Sequence, residues 1–171
     1  ACGQFEKCPG VRSDSPTCAV EGLNILCSWA ACNRLVIKSA DIRNAYFNAS
    51  PVDRLMLIAP PRGGIPGIKA KGRYAVAANR PIYGTTDAGR KFYLTFRKHA
   101  IACGFTEMKI LKSLYAWYDA EGSLVALMGV HVDDILWACA SNSDDPVLAL
   151  IKKMEVKVIK ERKFRFLRPR I

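Results

Sequence analysis

Leu124-Val125-Ala126-Leu127-Met128-Gly129-Val130-His131-Val132-Asp133-Asp134-Ile135-Leu136-Trp137 is the stretch whose reading decides the fold. Two apolar runs flank a pair of carboxylates, which reads as two strands joined by a tight turn at Asp133-Asp134. Burying an unpaired carboxylate is costly, so two in a row between buried strands ask for a compensating cation. Mg²⁺ is the obvious one, because it takes hard oxygen ligands. An ordinary exposed turn remains the plain alternative, since Asp is a common turn residue.

Upstream, Leu114 to Tyr118 and the turn Asp119-Ala120-Glu121-Gly122 complete a β-hairpin with the strand that starts at Leu124. From Thr86 to Cys103 the pattern is helical, with Phe92, Phe96, Ala100 and Cys103 on one face and Gly104 as a stop. Leu35-Val36-Ile37 opens a strand that runs into Asp41, followed by a helical turn through Asn48. Asp41 lies 92 positions before Asp133 and alone reads equally well as a helix cap. Ser15-Pro16-Thr17 marks a helix start, with Val20, Leu23, Cys27, Ala30 and Ala31 at helical spacing. Leu55 to Ile58 and residues 73–83 read as strands around a Pro/Gly loop. Ser143-Asp144-Asp145-Pro146 caps a helix with Leu150, Ile151 and Met154 inward, and a basic strand pair closes the chain. Helices mixed with antiparallel hairpins make the fold class α+β. Residues 1–14 carry no periodicity and read as an irregular lead-in to a domain at 15–171.

Charge narrows the partners. The chain of 171 residues carries a formal net charge of +11, which favours a polyanion such as nucleic acid. Lys152 to Arg170 contains nine Lys or Arg against Glu155 and Glu161, interleaved with Val156, Val158, Phe164, Phe166 and Leu167, which suggests a basic face on a buried one. A solvated basic tail is the plain alternative. No apolar run approaches the roughly 20 residues that span a bilayer, and no basic-then-apolar leader opens the chain. Seven cysteines without a C-x-x-C pair, and only His99 and His131, give little support to a zinc site. They read as reduced, mostly buried thiols of an intracellular protein, in the cytoplasm or nucleus and not secreted.

Taken in order, the motifs resemble those of copia-type retrotransposon reverse transcriptases. Ser39-Ala40-Asp41-Ile42-Arg43-Asn44-Ala45-Tyr46-Phe47-Asn48-Ala49 is similar to that family's first carboxylate motif. Leu55-Met56-Leu57-Ile58-Ala59-Pro60-Pro61-Arg62-Gly63 resembles its Y-M-x-x-P-x-G segment. Pro81-Ile82-Tyr83-Gly84 followed by Ala88-Gly89-Arg90-Lys91-Phe92 resembles its L-Y-G-L-K-Q-A-P-R-x-W segment. Leu114-Tyr115 and Val130-His131-Val132-Asp133-Asp134-Ile135-Leu136 resemble L-Y followed by Y-V-D-D-I/L-L. His131 stands where the family has Tyr, Thr85-Thr86-Asp87 where it has L-K-Q, and Gly89-Arg90 where it has P-R.

The resemblance implies the fingers–palm core of a right-hand polymerase, an antiparallel palm sheet on helices, truncated before the thumb. Its implied activity is RNA-directed DNA synthesis by two-metal nucleotidyl transfer. Asp41, Asp133 and Asp134 become the catalytic carboxylates, and two Mg²⁺ ions (or Mn²⁺) would be held by them and the Ile42 carbonyl. Tyr46, Arg80, Tyr83 and Gly84 become nucleotide-binding, with Tyr46 as the gate that tests the sugar 2′ position. His131, Lys160, Arg162, Lys163 and Arg165 become primer- or template-binding. Implied partners are an RNA or DNA template with its primer, deoxynucleoside triphosphates, and the thumb, RNase H and integrase of a Pol polyprotein, with no membrane. The alternative function is a decayed or captured retroelement fragment that keeps only nucleic-acid binding.

Overall fold

A computed structural model describes residues 9–60, 63–68, 74–140, 145–154 and 156–161, with the backbone alone at 157, 158 and 161. Its elements are α1 (Val20–Cys32), β1 (Ile37–Ile42), β2 (Leu57–Ile58), β3 (Val76–Ala77), α2 (Ala88–Ala102), β4 (Thr106–Glu107), β5 (Leu114–Tyr118), β6 (Leu124–His131), β7 (Asp134–Cys139), α3 (Pro146–Ile151) and β8 (Val156–Glu161). Six strands form one sheet in the order β4-β5-β6-β7-β1-β8, and β2 pairs with β3 separately. The pairings are all antiparallel, so the chain is α+β as the sequence leads one to expect.

The sheet is covered on both sides, which is why β7 reads as one continuous apolar run rather than an alternation. Ile135, Trp137 and Cys139 join Ala126, Met128 and Val130 of β6 on the back face. There they meet Phe92, Phe96 and Ala100 of α2 and Val147, Leu150 and Ile151 of α3. On the front face Leu127, Leu136 and Ala138 pack with Leu26 and Ala30 of α1. Asp145 caps α3 by accepting from the Val147 and Leu148 N–H groups. The same buried carboxylate accepts from Trp137 Nε1 at 3.0 Å and pairs with Lys38 at 3.3 Å, tying α3 to β7 and β1.

Several expected boundaries move, each for a physical reason. Helix α1 begins at Val20, not at Ser15-Pro16. Residues before it are taken up by the sheet: Cys18 N–H donates to the Val130 carbonyl at 2.8 Å, and Ser113 Oγ to the Pro16 carbonyl at 2.9 Å. Backbone groups at a sheet margin must be paired, and that need overrides the local start signal. The buried stripe of α1 is Gly22, Leu26 and Ala30, whereas Val20, Cys27 and Ala31 are exposed. Small residues set that choice: a Cβ on Gly22 would stand 2.9 Å from Cys18 Sγ. The strands expected over 55–58 and 73–83 shrink to two residues each, and Leu55 and Leu57 are exposed. The basic strand β8 pairs with β1, and the second strand of the expected basic pair lies outside the described residues. Arg162, Lys163, Arg165 and Phe164 lie outside those residues, as do Ser143 and Asp144 of the expected cap.

Of the five described cysteines none forms a disulfide, but only Cys18 and Cys139 are buried, while Cys27 and Cys32 are exposed. Two helical cysteines on the solvent side of α1 account for that departure from the expected burial. Among the described residues no helix is long and apolar enough to cross a membrane.

Candidate active site

The hairpin of β6 and β7 turns through Val132 and Asp133, one residue earlier than the expected Asp133-Asp134 turn, and Asp134 opens β7. Val132 takes a φ of 55°, a left-handed conformation that is a genuine outlier for a β-branched residue. Such strain costs on the order of 1–3 kcal/mol and persists only where the surroundings impose it. Here the Ile42 N–H donates to the Asp133 carbonyl at 2.8 Å, fastening the turn to the end of β1.

Register then assembles the charges. His131 pairs with Asp134, and Asp134 pairs with Asp41, so three strands present these side chains in one row on the front face. Directly opposed residues in a sheet have Cβ atoms about 4.5–5.5 Å apart. The sheet thus brings Asp41 beside Asp134, with Asp133 in the adjoining turn. The Asp134 carboxyl is raised above its ordinary value, first by burial and then by the charges of Asp133 and Asp41. His131 and Lys160 act on it in the opposite sense. Lys160 is exposed on β8 in register with Ser39. His131 Nδ1 is buried and makes no hydrogen bond among the described residues.

Tyr46 sits on the helical turn that follows β1. Its ring lies 4.5 Å from that of Tyr83 and 6.4 Å from that of Phe92. Burial raises its hydroxyl above the ordinary value, with the Asp133 charge as the next cause, so the ring borders the carboxylates. Gly84 has a φ of 86° at the third position of a turn closed by Thr85 N–H donating to the Ile82 carbonyl at 3.0 Å. That position of a type II turn requires positive φ, hence glycine. The turn props Tyr83 against Tyr46 and against Phe47, whose ring is 5.8 Å away. Arg80, expected to bind the nucleotide, donates from its Nη1 to the Phe47 and Ala49 carbonyls, both at 3.1 Å. It thereby closes the turn that carries Tyr46.

Among the described residues no three His, Cys, Asp or Glu side chains close on one point as a ready ligand set for a metal ion. Asp41, Asp133 and Asp134 are nevertheless hard oxygen donors of the type Mg²⁺ takes, and the burial and neighbouring charges that raise Asp134 are what a divalent cation would offset. Sequence reading missed three supports of this site: the strained Val132, Phe92 as a wall for Tyr46, and Gly89. A Cβ at Gly89 would stand 2.8 Å from Ser15 Oγ and 3.9 Å from the Tyr46 hydroxyl. The lone Gly at the start of a helix was the available signal for that close approach.

Comparisons with known proteins bear on the same residues. A family model described as reverse transcriptase (RNA-dependent DNA polymerase) matches residues 5–167. The chain is 27% identical over 134 residues to the Retrovirus-related Pol polyprotein from transposon RE1 of Arabidopsis thaliana, covering 78% of this chain and 8% of that protein. It is 27% identical over 124 residues to the polyprotein from transposon RE2 of the same plant, covering 71% of this chain and 8% of that one. The chain thus spans a small part of the length of these relatives. No solved structure matches it.

Proposed function

Because the chain belongs to the reverse transcriptase (RNA-dependent DNA polymerase) family, we propose that it is the fingers–palm core of a copia-type retrotransposon polymerase that extends a primer on an RNA or DNA template. The domain would occupy residues 15–171 behind a lead-in at 1–14, and would act inside the cell as part of a longer Pol polyprotein. Asp41 and Asp133, with the Ile42 carbonyl, would hold Mg²⁺ or Mn²⁺, and Asp134 is the third carboxylate. When bound, a pair of such ions activates the attacking hydroxyl and stabilises the leaving oxygen. The single observation that carries this reading is the register of Asp41 opposite Asp134, with the Asp133 turn fastened to Ile42.

The chain's own groups divide the remaining work. Tyr46, wedged by Tyr83 and Phe92, borders Asp133, where it would exclude a ribose 2′-hydroxyl. The Tyr83-Gly84 turn would lie against the incoming nucleotide. Arg80 would serve that pocket mainly by bracing the Tyr46 turn through backbone carbonyls. His131 would pack against the primer end, and Lys160, with Arg162, Lys163 and Arg165 beyond it, would follow the primer–template backbone.

The test is primer extension with Mg²⁺ on an RNA template, comparing the parent with Asp133→Asn. Losing a carboxylate worth several kcal/mol of metal-assisted stabilisation should slow extension on the order of 10³-fold. Equal rates would remove Asp133 from the chemistry. A parent that binds primer–template but extends nothing would favour the alternative of a fragment that keeps only nucleic-acid binding.

A further inference from the structure

The front of the sheet is covered unevenly. Helix α1 packs over Leu127, Leu136 and Ala138, and toward β5 it leaves an apolar cavity of about 480 Å³. Buried Leu114 and Leu127 of the sheet line it, with Ile25 of α1 on one side and Lys109, Ile110 and Leu111 on the other. The carboxylate row runs from β6 toward β1, whereas the cavity extends from β6 toward β5. The two therefore share one sheet without sharing residues.

Ile110 is 94% exposed and Ile25 48% exposed. Apolar residues scattered singly on a surface are ordinary, but these two rim one apolar hollow. Ile110 is also held in place. Met108 N–H donates to the Leu114 carbonyl at 2.9 Å and Leu114 N–H to the Leu111 carbonyl at 3.3 Å, so a tight turn projects Ile110 from its tip. An aliphatic side chain fixed in that way is a knob beside a hole, and within one chain the knob does not fill the hole.

The two sides of the hollow differ in sign. Glu21 is the one charged side chain of α1 and lies a turn before Ile25, on the same flank of the helix. Across the hollow stand Lys109 and Lys112. Among the described residues neither Glu21 nor Lys109 belongs to an ion pair. Two copies related by a twofold axis along the hollow exchange sides, so that each Ile110 enters beside the partner's Ile25 and each Lys109 faces the partner's Glu21. An isologous interface requires a patch that is complementary to itself in this sense. A partner of uniform charge would suit one side and be repelled by the other. We propose that a second copy of this chain docks here, in a twofold dimer anchored by Ile110 and oriented by Glu21 and Lys109. The proposal does not depend on the polymerase reading.

The test is sedimentation velocity of the full chain in about 0.3 M salt, which screens the general repulsion between two chains of net charge +11. The contact is small, so a dissociation constant on the order of 10 µM is expected, with dimer dominant at about 100 µM and monomer at about 1 µM. Ile110→Asp should weaken association about tenfold or more, as loss of a central anchor does. Glu21→Lys and Lys109→Glu should each weaken it about three- to tenfold, because two symmetric pairs turn repulsive. Mixing those two variants should restore the parent's affinity between unlike copies, since both contacts then join opposite charges. All three side chains are exposed, so thermal melts should match the parent's.

A parent that stays monomeric at about 200 µM, far above the expected constant, would overturn the dimer. So would an Ile110→Asp variant that associates as tightly as the parent. Charge variants that weaken association without rescue on mixing would overturn the twofold register. A monomeric parent that binds a synthetic amphipathic leucine helix, with that binding lost in Ile110→Asp, would assign the hollow to a foreign helix instead.

Discussion

Leu136 and Trp137 are neighbours on β7 that point to opposite faces of the same sheet, and their surroundings diverge from there. Behind the sheet, Trp137, Tyr115 and Phe96 are fully buried under α2 and α3. In front, α1 covers Leu127, Leu136 and Ala138 and goes no further, so His131, Asp134 and Asp41 stand partly open at the end of the strands. One ladder of hydrogen bonds serves both faces. The contrast teaches that the back is built for rigidity and the front uses part of that rigidity to hold like charges together. A carboxylate row that repels itself keeps its place because the strands beneath it are fixed by the other face.

The largest expected effect breaks the back. Trp137→Ala removes the largest fully buried side chain and the donor to Asp145, so unfolding by urea should report a loss of about 3–5 kcal/mol. Asp41→Asn on the front should not lower the urea midpoint, because it removes one of the charges that oppose ionised Asp134. Comparable losses from both would mean that the two faces are not divided as described.

Next comes the aromatic wall of Tyr46, which packs against the back-face cluster and borders Asp133. Tyr46→Ala in an active preparation should weaken discrimination against ribonucleotides by about 10- to 100-fold, the range a single steric clash commands. Steady-state incorporation of matched ribo- and deoxynucleotides measures it, and unchanged selectivity would remove Tyr46 from the sugar pocket.

A smaller effect sharpens the electrostatic side. Burial and the neighbouring carboxylates raise the folded-state value of Asp134 above its ordinary 3.8. A group raised in this way favours folding in its protonated form, and that contribution is lost as pH rises through the folded value. Asp134→Asn should therefore raise the melting temperature at neutral pH, with the gain vanishing below pH 3.8. Added Mg²⁺ should stabilise the parent and leave the variant less affected. A variant no more stable than its parent at neutral pH would contradict the cost of burying ionised Asp134 beside Asp133 and Asp41. The smallest expected change is at Lys160: Lys160→Ala should lower the salt slope of primer–template binding by about 1 and leave the fold intact.

Much of this contrast was legible in the sequence, though unevenly. The hairpin over 114–131 and the Phe92-Phe96-Ala100 stripe could be read because local period and tertiary need agree. Asp41 and Asp133-Asp134 stood out because carboxylates are out of place beside apolar strands. The start of α1 was misplaced because the demand of the Val130 carbonyl for a donor is a tertiary fact invisible in Ser15-Pro16-Thr17. The turn was misplaced by one residue because nothing in Val132 advertises a positive φ, which the tie between Ile42 and Asp133 imposes. The bracing contacts of Arg80 could not be read because the acceptors of its Nη1, the Phe47 and Ala49 carbonyls, lie more than thirty residues upstream.

The central claim is that the front row is a divalent-metal centre, and Mn²⁺ binding followed by electron paramagnetic resonance tests it most directly, because it needs neither primer nor nucleotide. The parent should bind Mn²⁺ in competition with Mg²⁺. Asp41→Asn and Asp133→Asn should each weaken that binding at least tenfold, as expected when a charged oxygen ligand becomes a neutral amide, while remaining folded. Mn²⁺ affinities equal to the parent's in both variants would contradict the account.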